Sequence, residues 1–155
     1  MTKKAKTDQS ALAATLAEFL CFAVYSTNLA FGRVYKPLLE AVGLTYPQFV
    51  VLVALHEEDA QTVGSLGDKL FLESSTLTPL LKRLEAMGHV TRQRDPEDER
   101  QVRVRLTQKG RGMREKTFCG LDPIIKATGL APRDFKRIQG ELRDLRDNLL
   151  KAAAE

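Results

Sequence analysis

Leu77-Thr-Pro-Leu-Leu-Lys-Arg-Leu-Glu-Ala-Met-Gly88-His-Val-Thr-Arg92, then Asp95-Pro-Glu-Asp-Glu-Arg100 and Arg105-Leu-Thr-Gln-Lys-Gly110, is the stretch that decides the fold. Leu77, Leu80, Leu81, Leu84 and Met87 keep to one helical face, and Gly88 supplies the residue type that ends such a helix. After Gly88 the period changes to two. Val90 faces inward with Arg92 and Arg94 outward, and Val102, Val104 and Leu106 face in with Arg103 and Arg105 opposite. Asp95 to Arg100 make the hairpin tip. The order is an amphipathic helix, a strand, a charged turn and a second strand, which is a helix with a β-wing behind it.

Working back from there, Thr62 caps a shorter helix through Leu70, with Val63, Leu66 and Leu70 apolar. Ser74 or Ser75 caps the helix that follows, which leaves Pro79 inside it and removes a backbone hydrogen bond at up to ~3 kcal/mol. Two short helices joined by a tight turn, the second with a polar outer face, outline a helix-turn-helix. Upstream, Thr45-Tyr46-Pro47 starts a helix, with Thr45 or Tyr46 at the cap and Pro47 at the first helical position, that carries Phe49, Val50, Leu52, Val53 and Leu55 inward and stops at Glu57-Glu58-Asp59. From Ala11 to about Val42 the apolar residues recur at helical spacing, with Pro37 kinking or restarting the helix and Gly43 ending it. Downstream, Thr107 caps a helix, and a last helix from Pro132 to about Lys151 lines up Phe135, Ile138, Leu142, Leu145 and Leu149. The expected fold is mainly α with a small β-wing, in a single domain spanning residues 1–155. Residues 44–110 form the winged helix-turn-helix, and helices within 10–43 and 111–153 form a dimerisation region, the first and last helices being its candidate seam.

The bulk properties fit one ordinary domain: 155 residues, 43% hydrophobic and 28% charged, enough for a real core. The net charge of +4 is modest, but its placement is not. Between Lys82 and Arg114 ten lysines and arginines face five acids, so this segment carries +5 and the remainder of the chain −1. Positive charge gathered on one wing points to nucleic acid. Lys3, Lys4 and Lys6 precede no apolar core of signal-peptide length, and no apolar run reaches a membrane span, so a cytoplasmic protein with two reduced cysteines is expected.

The side chains free to face double-stranded DNA are Ser74, Ser75, Thr76, Thr78, Lys82 and Arg83 on the recognition helix. Arg83 alone among them can make a bidentate contact with guanine. Arg94 and Arg100 flank the wing tip, within reach of phosphates or a minor groove, and Asp98 stands where it can hold the Arg100 guanidinium. A dimer of such heads expects a pseudo-palindromic operator with half-sites about one helical turn apart. His56 and His89 have no metal-ligand spacing beside them, and Ser74 and Ser75 have no nearby base, so neither a zinc site nor hydrolase chemistry is expected; no cofactor is called for.

Cys21 lies in Phe-Leu-Cys-Phe-Ala-Val-Tyr, with Tyr25 one helical turn on. Tyr35 is about 21 Å further along a straight helix, so the two meet only across a two-fold axis between antiparallel helices. On residues alone, Cys21 is either an inert packing thiol or a reactive one. The segments Leu20–Ser26, Val34–Leu39, Leu44–Gln48, Leu77–Arg83 and Asp98-Glu99-Arg100 resemble the MarR family, and within it the organic-hydroperoxide-sensing (OhrR-type) repressors. The resemblance covers roughly Leu16 to Arg114. It implies a homodimeric winged helix-turn-helix repressor, not an enzyme, released from its operator when an organic hydroperoxide oxidises Cys21 to a sulfenic acid. It also implies that Tyr35 and Tyr46 of one subunit bond Cys21 of the other, with Tyr25 beside it. An apolar pocket containing Phe19, Phe22 and Phe31 would favour organic peroxides over hydrogen peroxide. Cys119 is either a resolving thiol or a packing residue. Two alternatives stay open: a MarR-type regulator released by a small aromatic ligand without cysteine oxidation, and a thiol peroxidase.

Overall fold

The computed structural model describes residues 15–118 and 121–155. After one 3-10 turn (Leu16–Glu18) come α1 (Leu20–Glu40), α2 (Tyr46–Glu57), β1 (Gln61–Thr62), α3 (Val63–Leu70), α4 (Ser74–Ala86), β2 (Val90–Arg94), β3 (Val102–Leu106), α5 (Gln108–Phe118), α6 (Leu121–Ala127) and α7 (Pro132–Ala153). From α2 to β3 the elements follow the order of the fold class that the sequence predicts, helices first and then a hairpin. The first helix differs from expectation: Phe19 is extended (ψ 116°) and α1 begins only at Leu20, while the segment from Ala11 to Ala14 lies outside the described residues.

Local chemistry explains most boundaries. At the start of α2, Thr45 N–H donates to Gln48 Oε1 (2.9 Å) and Gln48 N–H to Thr45 Oγ1 (3.4 Å), a capping box, with Pro47 in the first turn where no amide donor is needed. Thr62 Oγ1 caps α3 by accepting from Ser65 N–H at 3.1 Å. Helix α4 closes differently from the sequence expectation. Its N-cap is Glu73, whose carbonyl accepts from both Thr76 and Leu77 N–H at 2.9 Å, so Ser74 is already helical and neither serine caps. Pro79 does sit inside the helix. The helix survives because Leu77, Leu81 and Leu84 are wholly buried (0% exposed), each worth ~1.5–3 kcal/mol, which together outweigh one missing hydrogen bond. At its end Gly88 (φ +77°) turns left-handed, with His89 N–H on Leu84 O and Gly88 N–H on Glu85 O, a Schellman cap.

The three strands form an antiparallel sheet in the order β1-β3-β2, with Val90 opposite Leu106 and Gln61 opposite Val104. Strand β1 and helix α6 were not foreseen. Two residues carry no period, and α6 is seven residues with a proline among them. Arg92 corrects the sequence reading. Two residues on from Val90 on a strand, it shares that residue's face, and its backbone N–H and guanidinium all bond the Glu85 carboxylate of α4 (2.7–3.1 Å). This guanidinium lowers the Glu85 pKa.

The core is centred on α2 to β3. Leu39 is the one buried residue of α1, and α7 has none among the described residues. Both long helices instead show apolar side chains to solvent in the single chain, including Leu20 and Leu149 at 62% exposure each. No helix among the described residues is long and apolar enough to cross a membrane.

His56 in the last turn of α2 and His89 ahead of β2 both lie near charged residues of α5, and His56 Nε2 and His89 Nδ1 are buried without a hydrogen-bond partner among the described residues. Burial lowers both pKa values, helped at His56 by Arg114 and Arg111 and at His89 by Lys109 and Lys116. A base whose folded pKa lies below its unfolded value of about 6.5 stabilises the fold above that pH and ceases to as pH falls through the folded value. Urea midpoints are therefore expected to fall between pH 7.5 and 5.5, well before carboxylates titrate, and less steeply in His89→Gln. A flat midpoint over that range contradicts the expectation.

Candidate functional site

Hydroxyls and cations from α3, α4 and the wing meet along one groove. Ser74, Ser75, Thr76, Lys82 and Arg83 of α4 are exposed, and Thr78 is half-buried. A groove of about 360 Å³ between α3, α4 and the wing is lined by Thr62, Gly64, Ser74, Thr78, Arg92 and Arg100, among others. Helix packing thus brings the first turns of α3 and α4 together with Arg100 from the wing. The sequence reading named Thr62 only as a cap. Its membership of this face follows from the tight turn, which sets the start of α3 beside the start of α4. That turn closes on Phe71, a left-handed residue (φ +56°), with Leu72 N–H on Gly67 O at 2.9 Å.

The charges of the wing divide into two sets. Arg94 and Arg100 are exposed, and Arg94 reaches across the tip to the Glu99 carbonyl at 3.3 Å. Arg105 is exposed and makes no ion pair among the described residues. Arg92, Arg103 and Arg111, counted with the basic surface in the sequence, are paired instead with Glu85, Asp95 and Asp59. Asp98 also differs from expectation. Its Oδ1 accepts from the backbone N–H of Arg100 (3.1 Å) and its Oδ2 from Gln101 Nε2 (3.0 Å), so it shapes the turn rather than gripping the Arg100 guanidinium. An aspartate two residues ahead of an amide closes such a turn locally, without needing the long side chain.

The residues expected around the thiol fall into two separate groups. Cys21 is exposed and, with Leu16, Phe19, Phe22 and Tyr25, lines an apolar hollow of about 360 Å³. Tyr25 lies on the same exposed side, its ring 6.4 Å from that of Phe22. Phe31, expected in this pocket, lines a different one. That second groove, of about 500 Å³, runs between α1, α6 and α7 and includes Val34, Ile124, Phe135, Ile138 and Leu142. The separation follows from pitch, since Phe31 is nearly three turns beyond Cys21. Tyr35 and Tyr46 are brought together at the far end of α1, rings 5.0 Å apart and edge-on, with Phe49 completing the cluster. Burial, then the Tyr46 hydroxyl, raises the Tyr35 pKa. Because α1 runs unbroken from Leu20 to Glu40, Cys21 and this tyrosine pair stay about 21 Å apart along one chain. Cys119 lies outside the described residues.

Residues 33–117 match the model of the transcriptional regulator SarA/Rot family. The chain is 50% identical to the HTH-type transcriptional regulator TtmR of Methylorubrum extorquens over 84% of its own length and 67% of that protein's. It is 38% identical to the organic hydroperoxide resistance transcriptional regulator of Bacillus subtilis, over 84% of this chain and 88% of that one. Among solved structures, reduced AbfR of Staphylococcus epidermidis bound to DNA matches with a TM-score of 0.72 at 38% identity, over 87% of this chain and 94% of that one. Disulfide-formed AbfR matches with a TM-score of 0.60 at 35% identity, over 90% and 93%. These relatives are transcriptional regulators, not enzymes.

Proposed function

The chain belongs to the winged-helix MarR/SarA-type family of transcriptional regulators, and from that premise we propose that it is a homodimeric repressor whose hold on its operator is set by the oxidation state of Cys21. The observation that carries this reading is the division of the thiol site. An exposed cysteine in an apolar hollow stands at one end of α1 and a packed tyrosine pair at the other. A second subunit antiparallel to the first sets each thiol against the other chain's tyrosines. The apolar faces left open on α1 and α7 supply the area for such a dimer. Free cations on α4 and the wing supply the DNA face, and AbfR, a relative of the same fold, is known bound to DNA and in a disulfide form.

The switch follows from thiol chemistry. The Cys21 thiolate attacks the outer oxygen of an organic hydroperoxide, the O–O bond breaks, an alcohol leaves, and the sulfur, oxidised by two electrons, becomes a sulfenic acid. The added oxygen no longer fits a site shaped for a thiol, and the helices that space the two reading heads shift. The hollow's apolar lining favours peroxides with an organic tail. The name of the Bacillus subtilis relative agrees with that substrate class.

The test is operator binding by wild-type and Cys21→Ser protein under an organic hydroperoxide. Wild type is expected to lose about 100-fold in affinity, in the usual range of allosteric coupling, and to recover with dithiothreitol, while Cys21→Ser stays bound. Equal release of both proteins, or of neither, sinks the redox reading. The groove between α1, α6 and α7 keeps a second reading in view, because about 500 Å³ of apolar space suits a small aromatic ligand. Release of Cys21→Ser from DNA by a non-oxidising aromatic acid would establish it.

A further inference from the structure

Four charged residues form one connected chain of hydrogen bonds from α5 to the tip of the wing. Arg111, on the first turn of α5, donates from Nη2 to Asp59 Oδ2 at 2.6 Å. Asp59 Oδ1 accepts from Ala60 N–H (2.8 Å) and from Leu106 N–H (2.9 Å), joining the loop after α2 to the end of β3. Ala60 is left-handed (φ +61°), and its carbonyl accepts from Arg103 Nη1 at 3.0 Å. Arg103 Nε in turn donates to Asp95 Oδ2, and Asp95 Oδ1 accepts from Glu97 N–H (2.9 Å) inside the tip. Asp95 is 3% exposed, an unusual burial for a wing carboxylate. The Glu97 amide, and after it the Arg103 guanidinium, hold the Asp95 pKa down. At Asp59 burial pushes upward, but the Leu106 and Ala60 amides and Arg111 outweigh it.

A hairpin of two strands is marginal alone and swings freely unless something fixes it. Here β3 is held by β1 on its far side for only two residues. Buried Val90, Val104 and Leu106 and the Arg92–Glu85 pair seat the hairpin's base, and the charged chain ties β3 and the tip to the loop after α2 and to α5 with bonds of the stronger, charge-assisted kind. We propose that Asp59 and Asp95 are positioning residues for DNA binding: they set the angle of the wing against α5, and so the reach of Arg94 and Arg100, without touching the duplex themselves. The inference rests on the DNA-binding reading given above.

Simple electrostatics makes the opposite forecast, which is what makes the idea testable. Removing an acid near a DNA-binding face adds positive charge and should tighten binding. Positioning demands that Asp59→Ala and Asp95→Ala weaken it. The probe is a duplex enriched from a random-sequence pool by the wild-type protein, and affinity is measured from 50 to 300 mM salt. Both variants are expected to bind about tenfold more weakly, with a shallower salt slope as Arg94 and Arg100 lose their phosphates. Equal or tighter binding overturns the proposal. So does a lowered melting temperature with affinity and slope of the folded protein unchanged, since that is a purely structural role. Should Asp95→Ala fail to fold, Asp95→Asn keeps an acceptor for Glu97 N–H and carries the same expectation at smaller amplitude. Arg94→Ala, run in parallel, separates the two readings. If it binds like wild type, or if no duplex is enriched, DNA contact by the wing is itself wrong and the proposal falls with it. If it weakens binding while the aspartate variants do not, positioning alone is wrong.

Discussion

Alanine at Gly110 is expected to destabilise the folded chain by about 3 kcal/mol or more, at the top of the range for overpacking a fixed site. A Cβ built there meets the His89 carbonyl oxygen at 2.0 Å, the His89 carbonyl carbon at 3.0 Å and Leu106 Cδ2 at 3.1 Å. The leucine can shift; the carbonyl cannot. It accepts from Thr107 N–H (3.1 Å) and Thr107 Oγ1 (3.2 Å), and His89 N–H is tied to Leu84 O by the cap of α4. Thr107 Oγ1 also accepts from the Gly110 amide at 3.0 Å, so the glycine is pinned by the same residue that pins the carbonyl. Relief requires α5 to tilt off the wing, which breaks the cap on one side or the sheet on the other. Urea unfolding at constant m measures the loss. Gly112→Ala is the control: its Cβ meets nothing within 4 Å, and helix propensity alone should make it neutral or stabilising by up to ~1 kcal/mol. Equal behaviour of the two variants contradicts the steric account.

Gly110 also shows what the sequence makes legible and what it does not. The cap at Thr62, the cap of α2 to within Thr45 or Tyr46, and the stop at Gly88 were readable because each acts on neighbours three or four residues away, a range over which residue type and spacing carry the physics. The close approach of Gly110 to His89 spans 21 positions and leaves no such mark. The wing charges fail for the same reason. A run of arginines reads as a cationic surface, yet Arg92, Arg103 and Arg111 are neutralised by Glu85, Asp95 and Asp59 across separations of 7, 8 and 52 residues. Only tertiary packing decides which guanidinium groups stay free. Ser74 against Glu73 is a subtler miss, because at a helix start the backbone carbonyl that closes the first turn matters more than the best capping side chain nearby. For Cys21 and Tyr35 only the spacing was legible: one chain's unbroken α1 keeps the separation that pitch alone implies.

Among the free cations, Arg83 is expected to matter most for sequence discrimination. It sits on the exposed side of α4, away from the buried Leu77, Leu81 and Leu84, and its guanidinium makes no ion pair or hydrogen bond among the described residues. Nothing in the fold therefore competes for its five donors. A guanidinium presented from a recognition helix can meet guanine O6 and N7 together, a contact worth about 1–3 kcal/mol of discrimination. Arg83→Ala should then weaken operator binding by about 10- to 100-fold and relax preference at one base pair in each half-site, while non-specific binding changes little. Arg94→Ala is the contrasting case, lowering affinity for all sequences alike and flattening the salt slope by about one unit. The discriminating variant is Arg83→Lys, which keeps the charge but not the planar fork. If Arg83 reads a base, lysine restores the salt slope and leaves specificity relaxed. If it only grips a phosphate, lysine restores both, and the base-reading role of α4 must rest on Ser75, Thr76 and Lys82 instead.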